Sequence, residues 1–369
     1  MNRLFRWDQM GLFLLALAAG ILPFAVPEVC AAALREGLTL CSGPLLLSLF
    51  PFLVVSRLLI QCPESDLLAL PFRLAAWGIG IRTPCAARVL CIGFLGGFAP
   101  AASAAAQAVR NGQLTAEEAD ALLPACICSG PSFVVLTVGQ SLLGSAELGV
   151  LLFASQITAN YLTAALLNRF AGVHSVEQES AAQASPAPPR LDEILADAAI
   201  TYCKLCGFIL FFRLLAAGAG ALLPAGAGTL CAILLEVCSG CDLASRTGRW
   251  GSLLCCAALS VQGLSVLLQV RTICPPEMTL RPLYRSRLLH LPLSLALFYL
   301  LLPGGEADVF STLPARVLLM RRVPPDCALL VFAVCCMAAC TLRSGIRQVE
   351  QKQMARNAGG CCINSKTLL

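Results

Sequence analysis

The sequence has few charged residues, few aromatic residues and only two histidines. Of its 369 residues, 13% are charged and 7% are aromatic, whereas 58% are hydrophobic and the mean hydropathy is +0.79. Soluble domains are about one quarter charged, so this composition excludes an ordinary soluble domain. The low aromatic share and the lack of regular apolar–polar alternation argue against a β-barrel. The sequence therefore predicts an all-α polytopic membrane protein.

The sequence also lacks the usual signatures of metal sites and enzymes. His174 and His290 lie far apart, and no Cys–His set has the spacing of a zinc site. Most of the 21 cysteines lie in apolar segments, where cysteine acts as a small buried hydrophobe. We find no phosphate loop, dinucleotide fingerprint or nucleophile–base set. We therefore expect no catalytic residues, no metal and no cofactor, and predict that the chain is not an enzyme.

The net charge of +5 does not indicate a nucleic-acid partner, because the basic residues are arginines in short loops rather than a basic stripe with aromatic residues. The expected partner is the lipid bilayer. Crossing a bilayer takes about 20 apolar residues. Apolar segments of roughly that length or shorter lie at 11–33, 39–61, 84–108, 121–143, 147–168, 198–222, 228–243, 251–274, 288–303 and 327–342.

A polar, Pro/Ala-rich stretch divides the chain into two halves. We predict an N-terminal span in 1–38, a first repeat at 39–169, a linker at 170–197, a second repeat at 198–303, a C-terminal span in 304–342 and a cytoplasmic tail at 343–369. Ser56–Leu59 aligns with Phe212–Leu215, Gly96–Gly97 with Ser239–Gly240, and Gly130–Ser132 with Gly263–Ser265. Two matching interrupted segments are typical of transporters with inverted repeats.

Both halves contain an apolar segment that should not form a continuous helix. Ser129, Gly130, Pro131 and Ser132 interrupt the first, and Gln262, Gly263 and Ser265, followed by Gln269, interrupt the second. Backbone groups freed at membrane depth must face protein or a water-filled cavity. We therefore predict that these residues bind a polar solute. Hydrogen bonding between helices is the alternative.

Two further segments are predicted to be re-entrant hairpins, namely 84–108 and 228–243. The first contains Gly96, Gly97 and Pro100, which favour a bend over a smooth helix, and the second contains Gly240. Such hairpins would supply the hinges of a transporter. A simple kink and small-residue helix packing are the alternatives for the first segment.

A few charged residues lie within the apolar segments. Glu236 is the only carboxylate well inside one, and we predict a proton or coupling-ion site, or a hydrogen bond to substrate; snorkelling to the interface is the alternative. Arg213 could pair with Glu236 or, like Lys204, meet an anionic substrate, although Arg57 at the matching position favours a shared structural pairing equally.

Other polar residues are expected to play structural roles. The acidic cluster Glu117, Glu118 and Asp120 follows Thr115 and is predicted to cap a helix start. A structural role is also preferred for Asn160.

The order of several motifs resembles one family of membrane proteins. GFLGGFAPAA (93–102), QLTAEEADALL (113–123), SGPSFVVLTVG (129–139), LLEVCSG (234–240) and QGLSVLLQV (262–270) resemble the YlbJ-type sporulation integral membrane proteins of the nucleoside-recognition, or gate, superfamily. The resemblance covers about 40–305. It departs from the family where Cys126 and Cys128 replace an Asn-Asn pair and where Phe98 and Ala99 stand in the place of a tyrosine motif.

The resemblance implies transport of dipicolinic acid, a small aromatic dicarboxylate, across a membrane around the forespore of an endospore-forming bacterium. It also implies two gate repeats with re-entrant hairpins. A nucleoside carrier and a non-transporting scaffold of the spore envelope remain alternatives. The expected location is the bacterial cell membrane or a forespore-surrounding membrane, with a homo-oligomer or other sporulation membrane proteins as further partners left open.

Overall fold

The structure, a computed structural model, describes residues 2–172 and 191–302. Within these ranges it contains helices and no strand. The α-helices are α1 (Asn2–Ala25), α2 (Pro27–Ser42), α3 (Pro44–Gln61), α4 (Leu70–Gly78), α5 (Pro84–Gly96), α6 (Phe98–Arg110), α7 (Ala116–Cys126), α8 (Ala146–Ala171), α9 (Leu191–Leu222), α10 (Ala225–Leu235), α11 (Val237–Ser245), α12 (Gly251–Val261), α13 (Gly263–Ile273) and α14 (Arg281–Leu301). A π-helix spans Ser132–Leu142, and short 3₁₀ turns lie at Pro63–Asp66 and Gly248–Trp250.

Three helical stretches among the described residues are long and apolar enough to cross a membrane. They are Ala146–Ala171, Leu191–Leu222 and Gly248–Ile273, and a bent pair, Phe13–Ala25 with Pro27–Ser42, adds a fourth if it counts as one span. The prediction of an all-α protein with membrane-spanning helices is confirmed at this level.

The N-terminal apolar segment differs from its predicted form. A single helix was expected over 11–33, but α1 ends at Ala25, α2 begins at Pro27, and the two axes meet at 113°. Pro27 lacks an amide hydrogen and occupies the first turn of α2, a position where proline is tolerated and from which it cannot continue a preceding helix.

Two pairs of short helices form helical hairpins. A Cβ placed on Gly93 of α5 would lie 3.2 Å from Cβ of Ala101 in α6, so the chain reverses at Gly97 between them. A Cβ on Gly240 of α11 would lie 2.8 Å from Cα of Ile233 in α10, so the chain also reverses at Glu236. These hairpins occupy most of 84–108 and 228–243.

Two other pairs form interrupted helices that pack against long helices. Gly149 near the start of α8 approaches Val135 and Gly139 of the π-helix, whereas the Asn160 side chain, farther along α8, reaches Ile127 at the end of α7. The α7–π-helix pair therefore runs antiparallel to α8. Similarly, α12 packs on α14, and Gln262 separates α12 from α13.

The helix α9 extends farther than expected at its N-terminal end. It begins at Leu191, so 191–197 is helical rather than part of the predicted linker. Asp197 in this added turn forms a salt bridge of 2.5 Å with Arg57 of α3. The contact ties the first half of the chain to the start of α9.

The acidic cluster after Thr115 divides into two roles. Thr115 and Glu118 form a capping box at the start of α7, as predicted. Asp120 instead accepts hydrogen bonds from Thr279 N, Thr279 Oγ1 and Leu280 N, at 2.8, 2.6 and 3.1 Å. The prediction that Asp120 caps its own helix is therefore wrong, because its carboxylate holds the segment that leads into α14.

Some predictions concern residues outside the described ranges. They are the central part of the linker with His174, the C-terminal span in 304–342 and the cytoplasmic tail at 343–369.

Candidate functional site

A small cavity lies where the hairpin tips meet the interrupted helices. We call it the central cavity. Its volume is about 60 Å³, enough for roughly four water molecules. It is lined by Leu45, Leu49, Leu95, Gly96, Phe98, Ser129, Gly130, Ser132, Phe133, Ile209, Glu236, Val237, Cys238, Val266 and Gln269.

The tip of the first hairpin lies against the first interruption. Gly97 has φ +81° and ψ −163°, a conformation essentially confined to glycine. A Cβ on Gly97 would lie 2.6 Å from the backbone nitrogen of Gly130. Gly97 therefore permits this close approach, and Gly96 beside it reaches the central cavity.

The second hairpin and the second interruption meet in a comparable way. Gly263 has φ +68°, and a Cβ on it would lie 2.9 Å from both the nitrogen of Glu236 and the carbonyl oxygen of Leu235. The tip of this hairpin is Glu236, three residues before the aligned Ser239–Gly240. Gly240 itself packs on Ile233 within the hairpin.

Glu236 forms the second tip through its side chain. Its backbone is extended, with φ −152° and ψ 127°, and it is the N-cap residue of α11. Oε1 accepts from Cys238 N at 2.8 Å, and Oε2 accepts from Ser239 N at 2.6 Å. The carboxylate thus satisfies two free amides and benefits from the positive end of α11. The residue is 2% exposed and lines the central cavity.

The first interruption begins with Ile127 and ends in an uncommon helix. Pro131 precedes the π-helix, and Gly130 O accepts from Val134 N at 3.0 Å. The π-helix is rare and appears mostly as single-turn bulges inside α-helices, which are frequent at functional sites. Ser129, Gly130 and Ser132 line the central cavity, whereas Pro131 is not among its lining residues.

Gln262 and Gln269 differ in their placement. Gln262 has φ +67°, an uncommon conformation for a residue with a side chain, and its Nε2 donates to Leu259 O. Gln269 lines the central cavity and donates through Nε2 to Ser265 Oγ at 2.9 Å. The Oε1 atoms of both glutamines are buried without a hydrogen-bond partner, which is costly unless water or a ligand occupies the position. Gln262, Gly263 and Ser265 are not among the lining residues.

The expected positive charges do not line the central cavity. Arg213 forms a salt bridge of 2.7 Å with Glu36 of α2, not with Glu236. Lys204 is exposed on α9. Pro100 and Gly97 likewise support the first tip without lining the central cavity. Of the predicted site residues, the structure brings together Ser129, Gly130, Ser132, Glu236, Gln269 and Gly96.

A polar group that the sequence analysis missed lies behind the interruptions. Arg287 and His290 on α14 are 8% and 1% exposed and contact polar atoms of α8 and α12. Arg287 lies just before the predicted apolar segment 288–303. An arginine at such a position is expected to lie in a loop. The Asn160 contact was anticipated only as a structural role. Two signals were available: the arginines at the start of this apolar segment, and His290 as an ionisable residue inside it.

Comparisons with known proteins give no further guide. No family model matches the chain, and neither does a curated protein or a solved structure at a significant level. Among the described residues, no group of three or more His, Cys, Asp or Glu side chains is arranged to hold a metal ion.

Proposed function

We propose that this chain is a membrane transporter that passes a small polar solute through the central cavity. The observation that supports this most strongly is the burial of Glu236 and Gln269 Oε1 where the breaks meet. Irregular backbone at membrane depth is tolerated where it lines a cavity or is enclosed by protein. A buried carboxylate in an apolar helical protein is by default a candidate functional group.

The proposal includes two gate repeats, 39–169 and 198–303, related by inversion. In its support, a long helix, a hairpin, an interrupted helix and a second long helix follow one another in the same order in both halves. Each hairpin tip contacts the interruption of its own half. Alternating access would then move one repeat against the other around the central cavity.

The volume of the central cavity indicates a closed state. Sites for small organic molecules typically have volumes of about 300–1,000 Å³, and the central cavity has about 60 Å³. Binding of a solute therefore requires one or both hairpins to move outward.

Dipicolinate is the first solute to test, because the motifs that resemble the sporulation family imply it. The lining contains no lysine or arginine, so the carboxylates of dipicolinate would meet the hydroxyls of Ser129 and Ser132. The carboxylate of Glu236 would repel this dianion, so we expect Glu236→Gln to bind dipicolinate more tightly than the wild type does.

A neutral nucleoside is the second candidate. Glu236 and Gln269 present acceptor oxygens to the central cavity, and sugar hydroxyls and base amino groups are hydrogen-bond donors. This chemistry favours a solute that donates hydrogen bonds. We expect nucleoside binding to be lost when Glu236 loses its charge.

Ligand-induced stabilisation tests the proposal. Purified protein would be heated in detergent with dipicolinate, uridine or benzoate, and a ligand present at 100 times its Kd adds about 2.7 kcal/mol to the free energy of unfolding. We expect a rise in Tm with dipicolinate or uridine but not with benzoate. In Glu236→Gln the rise should be smaller with uridine and larger with dipicolinate. Thr115→Ala is the matched control, because it also removes an N-cap but lies away from the central cavity.

Each result has a distinct meaning. A shift with dipicolinate that persists in Thr115→Ala and increases in Glu236→Gln supports an anion carrier. A shift with uridine that persists in Thr115→Ala and disappears in Glu236→Gln supports the nucleoside carrier. No shift with either solute, in protein that unfolds cooperatively, favours the membrane scaffold and contradicts the transporter proposal.

A further inference from the structure

Arg287 is a buried cation without a carboxylate partner among the described residues. Its side chain lies on the inner face of α14, the residue is 8% exposed, and no salt bridge involves it in the part of the chain that the structure describes. Arg88, which is equally buried, pairs with Asp66 and donates to Ile60 O. Burying a guanidinium in an apolar protein is expensive unless other groups balance its charge.

Backbone carbonyls at the ends of two half-helices balance this charge. One terminal nitrogen of Arg287 donates to Ile127 O at 3.3 Å, and the other lies 3.5 Å from Ser260 O. Ile127 is the first residue after α7, and Ser260 is the second-last residue of α12. Both carbonyls therefore lie at the negative ends of helices that stop at an interruption.

Asn160 of α8 completes the contact on the first half. Its Oδ1 accepts from Arg287 at 3.3 Å, and its Nδ2 donates to Ile127 O at 3.2 Å. Ile127 O thus accepts from both side chains at once. The arrangement fixes the end of α7 from two sides.

Gln156 of α8 contacts both α12 and α14. Gln156 Nε2 donates to Ser260 Oγ at 2.9 Å, and His290 Nε2 lies 3.2 Å from Gln156 O. These contacts place the end of α12 next to the guanidinium. The result is one polar cluster that reaches an interruption in each half of the chain.

From this geometry we infer that Arg287 is a tethered cation that joins the two helix interruptions. It occupies a position between two helix C-termini, where a positive charge is favourable. Because the same guanidinium contacts Ile127 O and Ser260 O, the two interruptions move together. Arg287 therefore fixes the positions of the residues that follow both interruptions and reach the central cavity. Arg287 is a positioning residue in this role, and it does not touch the central cavity.

Hydrogen exchange at the two interruptions tests the inference without any assumption about the solute. Exchange would be followed by mass spectrometry in peptides covering 126–134 and 258–266, with the protein in lipid nanodiscs. In Arg287→Ala we expect exchange to be faster by about tenfold or more in both peptides, since hydrogen bonds from a charged group are lost at both ends. Guanidinium ion at low millimolar concentration should restore slow exchange in both.

Three further variants separate charge from packing. Arg287→Met fills the space without charge and should behave like Arg287→Ala, but without rescue. Arg287→Lys keeps the charge and should be less affected, which also preserves the test if the alanine variant does not fold. Arg88→Ala is the matched control, and its exchange at the two interruptions should be unchanged.

Several outcomes would overturn the inference. Slow exchange in Arg287→Met would show that no cation is needed. Faster exchange in only one peptide would show that the interruptions are independent. If Arg287→Lys and Arg287→Met speed exchange equally, the positive charge is not what slows it. If Arg88→Ala also speeds exchange at the two interruptions and guanidinium reverses this, the effect is not specific to a cation at position 287.

Discussion

At the scale of single residues, the approach of Gly97 to Gly130 is the most restrictive feature of the fold. Gly97 combines a conformation essentially confined to glycine with a gap of 2.6 Å between a would-be Cβ and Gly130 N. A side chain at this position would both strain the backbone and push the tip of the first hairpin away from the interruption. Packing of the tip therefore depends on the absence of a single methyl group.

We expect Gly97→Ala to lower the free energy of unfolding by about 2 kcal/mol more than Gly144→Ala, because overpacking adds about 1–3 kcal/mol to the cost of a positive φ. Gly144 also has a positive φ, +73°, but has no atom within 4 Å of a would-be Cβ. Denaturant unfolding of both variants in detergent would measure the difference. Equal losses would mean that the tip has room to move.

Asp120 illustrates how a residue with an ordinary sequence context acquires a specific role. Its carboxylate receives three hydrogen bonds from Thr279 and Leu280 across the two halves of the chain. In Asp120→Asn an amide would face these donors. We expect a loss of about 1.5–3 kcal/mol in the free energy of unfolding, the range for hydrogen bonds to a charged group.

Thermal and denaturant unfolding of Asp120→Asn should be compared with Glu117→Gln. Glu117 is exposed in the same helix, so its substitution should change stability by less than about 0.5 kcal/mol. Similar effects of the two substitutions would contradict the role of Asp120 in holding the start of α14.

At the scale of secondary-structure elements, the π-helix and α8 pack through glycines. A Cβ on Gly149 would lie 2.7 Å from Cα of Val135, and one on Gly139 would lie 2.5 Å from Cα of Gly149. Small residues permit such close backbone contact between membrane helices, where the hydrophobic effect does not drive association. This contact sets the distance between the π-helix and the long helix behind it.

Alanine substitutions at two helical glycines should therefore have opposite effects. Gly149→Ala should destabilise the protein by about 1–3 kcal/mol through overpacking. Gly207→Ala in α9, where a Cβ has open space, should stabilise it by up to about 1 kcal/mol, because alanine favours helix more than glycine does. Destabilisation by both, measured as changes in Tm, would indicate that packing at Gly149 is not specific.

At the scale of the whole molecule, part of the candidate site could be predicted from the sequence. Gly130 and Ser132 could be found because a glycine, a proline and serines follow one another within an apolar segment. Glu236 could be found because a carboxylate is conspicuous in such a segment. The apolar lining residues, such as Leu49 and Ile209, could not be found, because leucine and isoleucine occur throughout the chain.

Features that depend on tertiary contacts were also beyond prediction. The pairing of Arg213 with Glu36 rather than Glu236 joins residues 177 positions apart, and nothing in the sequence around Arg213 indicates which carboxylate it contacts. Burial of Arg287 depends on carbonyls that become free only where α7 and α12 end. The helical class, by contrast, follows from composition alone, because it depends on the number of apolar residues and not on their partners.

The central claim is that the interruptions and hairpin tips enclose a transport site that contains Glu236. The most direct test is uptake of radiolabelled dipicolinate and uridine into proteoliposomes, with and without a pH gradient, for the wild type, Glu236→Gln and Thr115→Ala. We predict saturable uptake of one solute by the wild type and by Thr115→Ala. In Glu236→Gln, uptake of uridine should fall at least about tenfold, the loss expected when a buried charged hydrogen-bonding group is removed, whereas uptake of dipicolinate should rise. Equal uptake by Glu236→Gln and the wild type, or no uptake of either solute by correctly folded protein, would contradict the claim.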